Sequence, residues 1–180
     1  TCLRAEFLLL AGSKAQKQAW LQKRASGAAV GTFALAEGAG RVRAEGVKAT
    51  YKDGKLSGVK VAVPDGDTAD VAVVLAKAGG GLQLCLVDLS GGGVKRETQE
   101  TIDPSRSYAR ITFDGAAAEP LGAAGDGWGL AERVLDRAAI LMAYEQVGGA
   151  DKALEMARDY ALERMAFGRQ IGSFQGIKHM

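Results

Sequence analysis

Three side chains near the carboxyl end of this sequence have the types and spacing that a nucleotide site would need. Arg164 and Phe167 close a long helical pattern, and Gln175 lies on the short helix predicted next. Arginine can bind a diphosphate through paired hydrogen bonds, phenylalanine can stack on a purine, and a glutamine amide can hydrogen-bond the purine's edge. A structural role is also open, in which the arginine complements the helix dipole and the phenylalanine packs in the core.

The composition argues against several other kinds of site. Cys2 and Cys85 are too far apart, and His179 is the only histidine, so we expect no Cys/His zinc site or other metal centre. A Ser-His-Asp triad would have to use His179, the second-last residue, and is not expected. The 23 basic and 21 acidic residues give a formal charge of +2, far from the basic excess typical of nucleic-acid binding.

The elements that must position these residues divide the chain into three parts. Residues 3–25 indicate two short helices, with Gly12 ending the first and Ser13 capping the second. Residues 30–121 contain short runs of β-branched and aromatic residues separated by glycine-rich turns. After Gly127 the apolar residues recur every three or four positions, which indicates a long helix.

The middle part predicts an antiparallel β-barrel or sandwich, because no helical period interrupts its runs. The predicted strands are Val30–Leu35, Val47–Tyr51, Val59–Val63, Val71–Leu75, Leu82–Val87 and Tyr108–Phe113. We therefore predict the α+β class, with the β domain flanked by helices and followed by the start of a C-terminal helical bundle. The predicted domains are residues 1–27, 28–122 and 123–180.

The apolar stripe of the long helix, from Leu130 to Met165, must be covered by partner helices. Further chain or an oligomer is therefore expected around it. Gly148-Gly149 interrupts the stripe, and an interior glycine is best tolerated where another helix crosses closely. No apolar run reaches the ~20 residues that a membrane helix requires. We expect a soluble, cytoplasmic protein without a membrane partner.

Five motifs, in order along nearly the whole chain, closely resemble the acyl-CoA dehydrogenase family. The last of them is the most specific. The motifs are Gly12-Ser13 with Gln16-Lys17 and Trp20-Leu21; Phe33-Ala34-Leu35-Ala36-Glu37; Leu56-Ser57-Gly58-Val59-Lys60 with Ala69-Asp70; Ile111-Thr112-Phe113-Asp114-Gly115; and Arg164-Met165-Ala166-Phe167-Gly168-Arg169-Gln170-Ile171-Gly172-Ser173-Phe174-Gln175.

The resemblance implies an FAD enzyme that oxidises an acyl-CoA thioester to the 2,3-enoyl-CoA in fatty acid β-oxidation. In this family a glutamate removes the α-proton, the β-hydrogen leaves as hydride to the flavin, and electrons usually pass to an electron-transferring flavoprotein. Members have an N-terminal helical domain, a β-barrel and a C-terminal bundle, and usually form tetramers. On this resemblance the chain spans the end of the first domain, the β domain and the opening of the bundle.

Site residues carry over from the resemblance one position at a time. Arg164, Phe167 and Gln175 match residues that reach the FAD of a neighbouring subunit in the family. Phe33, Leu35 and Ala36 match the strand that meets the flavin. Gly40 and Arg41 fall in the turn assigned to substrate binding.

Several positions depart from the family pattern on the flavin side. Ala36 stands where the family usually has a threonine. The family's Pro-Gly-Ala-Gly-Ser-Asp turn is shortened to Gly38-Ala39-Gly40, followed by Arg41 and Val42. Its usual Trp-Ile-Thr or Trp-Ile-Ser flavin wall falls on Ala62-Val63-Pro64. These changes predict weakened FAD binding by the β domain, by roughly 100-fold for ~3 kcal/mol lost.

The catalytic base implied by the resemblance is expected beyond Met180. An early-helix position used by some subfamilies falls on Ala138, next to Ala139, and neither can move a proton. Glu145 is interpreted as structural, while Asp136 or Arg137 would serve only after a shift of register. Two alternatives therefore stay open beside the dehydrogenase. One is a non-catalytic or half-site subunit of a heteromeric enzyme, and the other is an acyl-CoA oxidase-like relative.

Overall fold

The computed structural model of this chain describes the backbone of residues 2–179 and the side chains of residues 5–179. It divides into two compact units, Thr1–Asp136 and Arg137–Met180. The helices are α1 (Cys2–Ala11), α2 (Lys14–Ala25), α3 (Gly127–Glu163) and α4 (Gln175–Lys178). The strands of the first unit are β1 (Gly31–Ala34), β2 (Thr50–Lys52), β3 (Lys55–Pro64), β4 (Val71–Ala78), β5 (Gly81–Asp88), β6 (Val94–Gln99), β7 (Tyr108–Ala117) and β8 (Glu119–Leu121). The domain boundaries placed after residues 27 and 122 stay predictions.

The helical start is organised by the predicted cap. The Gln16 N–H donates to the Ser13 hydroxyl over 3.1 Å, and the Ser13 N–H donates to the Gln16 side-chain oxygen over 3.0 Å. This reciprocal capping box fixes where α2 begins. Gly12 separates the two helices because a Cβ there would lie only 2.5 Å from the Leu8 carbonyl oxygen. The cap and the stop that the sequence predicts are both confirmed.

The strands β1 to β8 form one mixed sheet. The order is β6-β7-β3-β2-β4-β5-β8, and β1 pairs with β4 off this path. The predicted α+β class, with a sheet-rich middle part and helices, is confirmed. Within the described residues the path is open rather than closed into a barrel, because β6 and β8 end it without pairing to each other.

Strand direction departs from the antiparallel prediction at β4. It runs parallel to β1, with Gly31 opposite Val71 and Ala34 opposite Val74, and it forms one parallel pair with β2. The chain between β1 and β4 contains the β2–β3 hairpin. This connection is long enough to bring the chain back to the start of β1, so β4 can run beside β1 in the same direction. The direction of a partner depends on such connections and not on the composition of either strand.

β4 lies at the centre of the core and is buried on both faces. Its alternate residues Ala72, Val74 and Ala76 pack into one apolar cluster. The residues between them, Val71, Val73 and Leu75, pack into a second cluster on the opposite face. This period of two explains why the strand is apolar from Val71 to Ala76, since neither face of that stretch meets solvent.

The strand β6 escapes prediction because it has no apolar pattern. Its sequence is Val-Lys-Arg-Glu-Thr-Gln, and its four central residues are exposed. A charged edge strand of this kind discourages pairing with other chains. Its position is therefore set by β7, with which it forms an antiparallel ladder.

The long helix α3 is buried only near its start. Leu130, Ala131 and Val134 pack into the second apolar cluster of the first unit. Large apolar side chains of its later turns are exposed, namely Ile140, Leu141, Met142, Tyr144, Val147, Leu154, Met156, Tyr160 and Leu162. No described atom lies within 4 Å of the Cβ positions of Gly148 and Gly149, so the close helix crossing predicted there is not found in this part of the chain.

Candidate functional site

The Arg-Phe motif forms a short hairpin after α3. Strand β9 (Met165–Ala166) pairs antiparallel with β10 (Arg169–Gln170), and Phe167-Gly168 form the turn. Both turn residues have positive φ, +53° for Phe167 and +81° for Gly168, as a type I′ turn requires. A phenylalanine in this region is unusual and stores strain, which proteins often retain at functional sites.

The Phe167 side chain is almost fully exposed, at 96%. The structural alternative that packed it in the core is therefore wrong. Its ring meets the Phe174 ring edge-on, with 6.3 Å between the centroids. The guanidinium of Arg169, which lies on β10, is 4.0 Å from the centroid of the Phe174 ring. Phe174 thus contacts both the Phe167 ring at the hairpin tip and the Arg169 guanidinium. These contacts restrict the motion of the exposed Phe167 ring.

Arg164 and Gln175 border the same hairpin with exposed side chains. The Arg164 N–H donates to the Tyr160 carbonyl, and its own carbonyl accepts the Ile171 N–H over 2.9 Å. These backbone bonds fix the position of Arg164 while its guanidinium stays exposed. Gln175 is the first residue of α4. The structure therefore places all three predicted nucleotide contacts in the second unit, on one hairpin and the turns beside it.

Ser173 precedes the helix that carries Gln175 but does not cap it. Its hydroxyl donates to the Gln170 carbonyl over 2.6 Å. Ser173 lies inside the 3-10 turn Ile171–Ser173, so Phe174 becomes the residue that precedes α4. The side-chain oxygen is therefore directed backwards along the chain.

The flavin-side residues of β1 lie in the first unit and mostly face inwards. The Phe33 ring is buried and lies 4.6 Å from the Phe7 ring. The Leu35 carbonyl accepts a hydrogen bond from Lys60 Nζ, and the Ala36 carbonyl accepts one from the Val61 N–H. Their side chains are half-buried. Phe33 therefore packs against α1, and the carbonyls of Leu35 and Ala36 connect the chain just after β1 to β3.

The residues that the resemblance aligns with the flavin wall bond to other groups of the protein. Ala62 has a left-handed φ of +49° where the β3–β7 register shifts, and its N–H donates to the Gln99 side chain over 2.7 Å. The Pro64 carbonyl accepts the Thr32 hydroxyl over 2.6 Å. These polar groups already bond one another. Ala36 and Ala62 supply neither the hydroxyl nor the aromatic ring that would hold an isoalloxazine.

The first unit contains a cleft of about 280 Å³. The predicted substrate residues Gly40 and Arg41 both line it. Gly40 has a φ of +91°, which is the left-handed conformation that glycine adopts without strain. Arg43 and Lys48 add two further cations to the lining. The cleft is therefore suited to an anionic group.

The most strongly organised polar group near the cleft is a pair that the sequence analysis did not single out. Lys60 Nζ lies 2.7 Å from Glu37 Oε1, and the Lys60 side chain is fully buried. Burial raises the pKa of Glu37, but bonds from Lys60 and from two backbone amides outweigh it, so this pKa lies below its ordinary value. Burial lowers the pKa of Lys60, and Glu37 opposes that shift. The sequence did contain a signal for this pair, because Lys60 is the charged residue within the otherwise apolar predicted strand Val59–Val63.

The α3 residues considered for a catalytic base include Ala138, Asp136 and Glu145, and both carboxylates are exposed. Ala138 has no titratable group. A base beyond Met180 stays a prediction. Among residues 2–179 no cluster of three or more His, Cys, Asp or Glu side chains is arranged to hold a metal ion. In the same range no helix has the length and apolarity needed to cross a membrane.

Comparisons with known proteins place this geometry in context. The family model for the acyl-CoA dehydrogenase C-terminal domain matches residues 125–180. An acyl-CoA dehydrogenase of Bacillus subtilis (strain 168) is 33% identical over 94% of this chain and 48% of its own length. The chain therefore spans about half the length of the curated relatives it matches.

Solved structures agree over almost the whole chain. One described as the electron transferring flavoprotein of Acidaminococcus fermentans is 28% identical, with a TM-score of 0.89 over 97% of this chain and 50% of the other. A steroid ACAD variant designated Tcur3481-Tcur3483 is 33% identical, with a TM-score of 0.80 over 99% of this chain and 48% of the other. Both cover the first unit and the hairpin that follows α3.

Proposed function

This chain belongs to the acyl-CoA dehydrogenase family, and from that premise we propose that the intact protein takes part in FAD-dependent α,β-desaturation of an acyl-CoA thioester. The observation that carries the proposal is the exposed trio Arg164, Phe167 and Gln175 at and beside the β9–β10 hairpin. We further propose an electron-transferring flavoprotein as acceptor, a homo- or hetero-oligomer, tetrameric in the intact protein, and a cytoplasmic place in fatty acid β-oxidation.

In this proposal the chain's own residues bind and orient the nucleotide end of FAD. The Arg164 guanidinium pairs with the diphosphate, because its planar fork matches two phosphate oxygens. Phe167 stacks on the adenine, and Gln175 hydrogen-bonds its edge. Exposure of all three side chains fits an FAD that is held by a neighbouring subunit. When bound, FAD supplies the acceptor for the hydride that leaves the thioester's β-carbon.

A second candidate is favoured by the flavin wall of the first unit. Its polar groups bond one another, and Ala36 and Ala62 replace the side chains that would hold a flavin ring. We propose as the alternative a half-site subunit, meaning one that contributes Arg164, Phe167 and Gln175 to a partner's FAD while binding none itself. It would work only with a second, different subunit.

Flavin content separates the two candidates. The intact protein is purified alone and with a flavin-binding subunit of the same family, and its visible flavin absorbance and its enoyl-CoA formation with an artificial electron acceptor are measured. Near-stoichiometric FAD and turnover in the single protein support the dehydrogenase. FAD and turnover only in the mixture support the half-site subunit. Absence of flavin in both samples contradicts the proposed function.

A further inference from the structure

A single carboxylate closes the base of the loop that lines the cleft. Glu37 Oε2 accepts the Lys48 N–H over 2.7 Å, and Glu37 Oε1 accepts the Ala49 N–H over 3.0 Å. Residue 37 is thereby joined to residues 48 and 49, so the intervening segment 38–47 is a loop closed at its base by one side chain. We call residues 38–47 the cleft loop.

The same carboxylate is tied to the sheet by a fully buried lysine. Lys60 Nζ donates to Glu37 Oε1 over 2.7 Å and to the Leu35 carbonyl over 3.1 Å. Lys60 belongs to β3, so it connects the end of β1, the base of the cleft loop and the sheet. Removal of Glu37 alone would leave a buried ammonium and two amide N–H groups without their acceptor, which is strongly unfavourable.

The charged residues of the cleft loop are two arginines and one carboxylate, which leaves a net positive charge. Arg41 and Arg43 are exposed, whereas the charge of Glu37 is already balanced by Lys60. Glu45 is the other carboxylate in the lining. Within the described chain, the N–H groups of residues 38–42 form no hydrogen bond. Free amides beside arginines favour an anionic ligand, and phosphate is a common one.

We propose that Glu37 and Lys60 are positioning residues, which hold the cleft loop in the conformation that presents Arg41 to an anionic group of the substrate. The anionic group is a phosphate of coenzyme A, and this identification rests on the proposed function. The clasp formed by Glu37 and Lys60 follows from the geometry alone. We assign both residues this indirect role because Lys60 is buried and the Glu37 oxygens accept three hydrogen bonds from the protein itself.

The test uses trypsin, because Arg41 and Arg43 are its cleavage sites. Peptides released from the intact protein are identified by mass spectrometry for wild type, Glu37→Gln and the matched control Glu45→Gln. Glutamine offers one acceptor oxygen and an NH₂ donor, so it cannot satisfy all three donors. We expect Glu37→Gln to be cleaved at Arg41 and Arg43 at least about tenfold faster than the control. Equal cleavage in both variants overturns the proposal.

A second variant separates positioning from loss of stability. Glu37→Gln combined with Lys60→Met removes the buried ammonium as well, and replacing both partners is often nearly neutral for folding. We expect its Tm to return toward the wild-type value while cleavage of the cleft loop stays fast. Two outcomes overturn the proposal and leave a structural role only. In one, cleavage and Tm both return to the wild-type values. In the other, the folded double variant is cleaved no faster than the wild type.

The ligand is tested separately with free coenzyme A. It should protect Arg41 and Arg43 of the wild type from trypsin, and the double variant should bind it about tenfold more weakly, as a raised KM with little change in kcat would also show. If the variants are cleaved fast but the wild type does not bind coenzyme A, the proposed function is contradicted. The role of Glu37 and Lys60 in holding the cleft loop would still be supported. Binding that is equal in the wild type and the double variant overturns the positioning role.

Discussion

The Thr32 hydroxyl donates to the Pro64 carbonyl over 2.6 Å and joins β1 to the last residue of β3. This bond lies where the family resemblance places the flavin wall, and both of its partners come from the protein itself. In the bond from the Ala62 N–H to Gln99, likewise, both partners belong to the protein. The positions that the resemblance aligns with the flavin wall therefore hold two hydrogen bonds within the protein.

The Thr32 bond predicts a defect in stability without a defect in flavin content. Thr32→Val keeps the shape but leaves the carbonyl of Pro64 without its donor, so we expect about 1 kcal/mol less stability toward unfolding. Thr50→Val, at an exposed position of β2, is the matched control and should change little. Denaturant unfolding and flavin absorbance are measured together. Loss of flavin with unchanged stability would mean that the hydroxyl serves the cofactor.

Arg164 should contribute to nucleotide binding and not to folding, because its side chain is exposed. Arg164→Ala removes a charge-assisted bidentate contact of about 1.5–3 kcal/mol, so we expect FAD to bind roughly 10- to 100-fold more weakly. Arg158→Ala is the control, since Arg158 is an exposed arginine of the preceding helix α3 and pairs with Asp159. FAD titration of the assembled oligomer measures the effect. Equal affinities for the two variants would remove Arg164 from the site.

Replacing Phe167 is expected to raise the local stability of the hairpin and to weaken FAD binding. Asparagine tolerates its left-handed backbone better than phenylalanine does, so Phe167→Asn should stabilise the hairpin by about 1 kcal/mol. The same change removes the exposed ring and should weaken FAD binding. Hydrogen exchange of the amides of residues 165–171, compared with FAD titration, tests both halves. A variant that binds FAD as well as the wild type would show that the ring has no part in recognition.

The Glu37 carboxylate predicts a pH dependence of stability. Its pKa in the folded protein lies below the ordinary 4.5, so its contribution is fully present above the unfolded-state value. That contribution is lost as the pH falls through the folded-state value. The Tm difference between wild type and Glu37→Gln should be constant from about pH 6 to 8 and shrink in acid below 4.5. A difference that persists unchanged well below the folded-state value would contradict the assignment.

Much of the local structure could be predicted from the sequence. The capping box at Ser13, the stop at Gly12 and the long amphipathic pattern of α3 depend on neighbours a few residues away, and all three are found. The motif of residues 164–175 likewise predicts that these residues follow the end of α3. It does not predict the hairpin whose turn contains Phe167. Short-range rules suffice here because the interacting groups lie within one or two turns of chain.

What the sequence by itself determined is therefore the type of most elements, the family and the identity of the exposed nucleotide-binding candidates. Only the tertiary structure decided that β1 runs parallel to β4, that the charged segment β6 is a strand, and that Glu37 reaches Lys60 and the amides of residues 48 and 49. Each of these depends on groups far apart in the chain. Their pairing is selected by burial and by the need to satisfy polar groups in the core, and no local pattern records that choice.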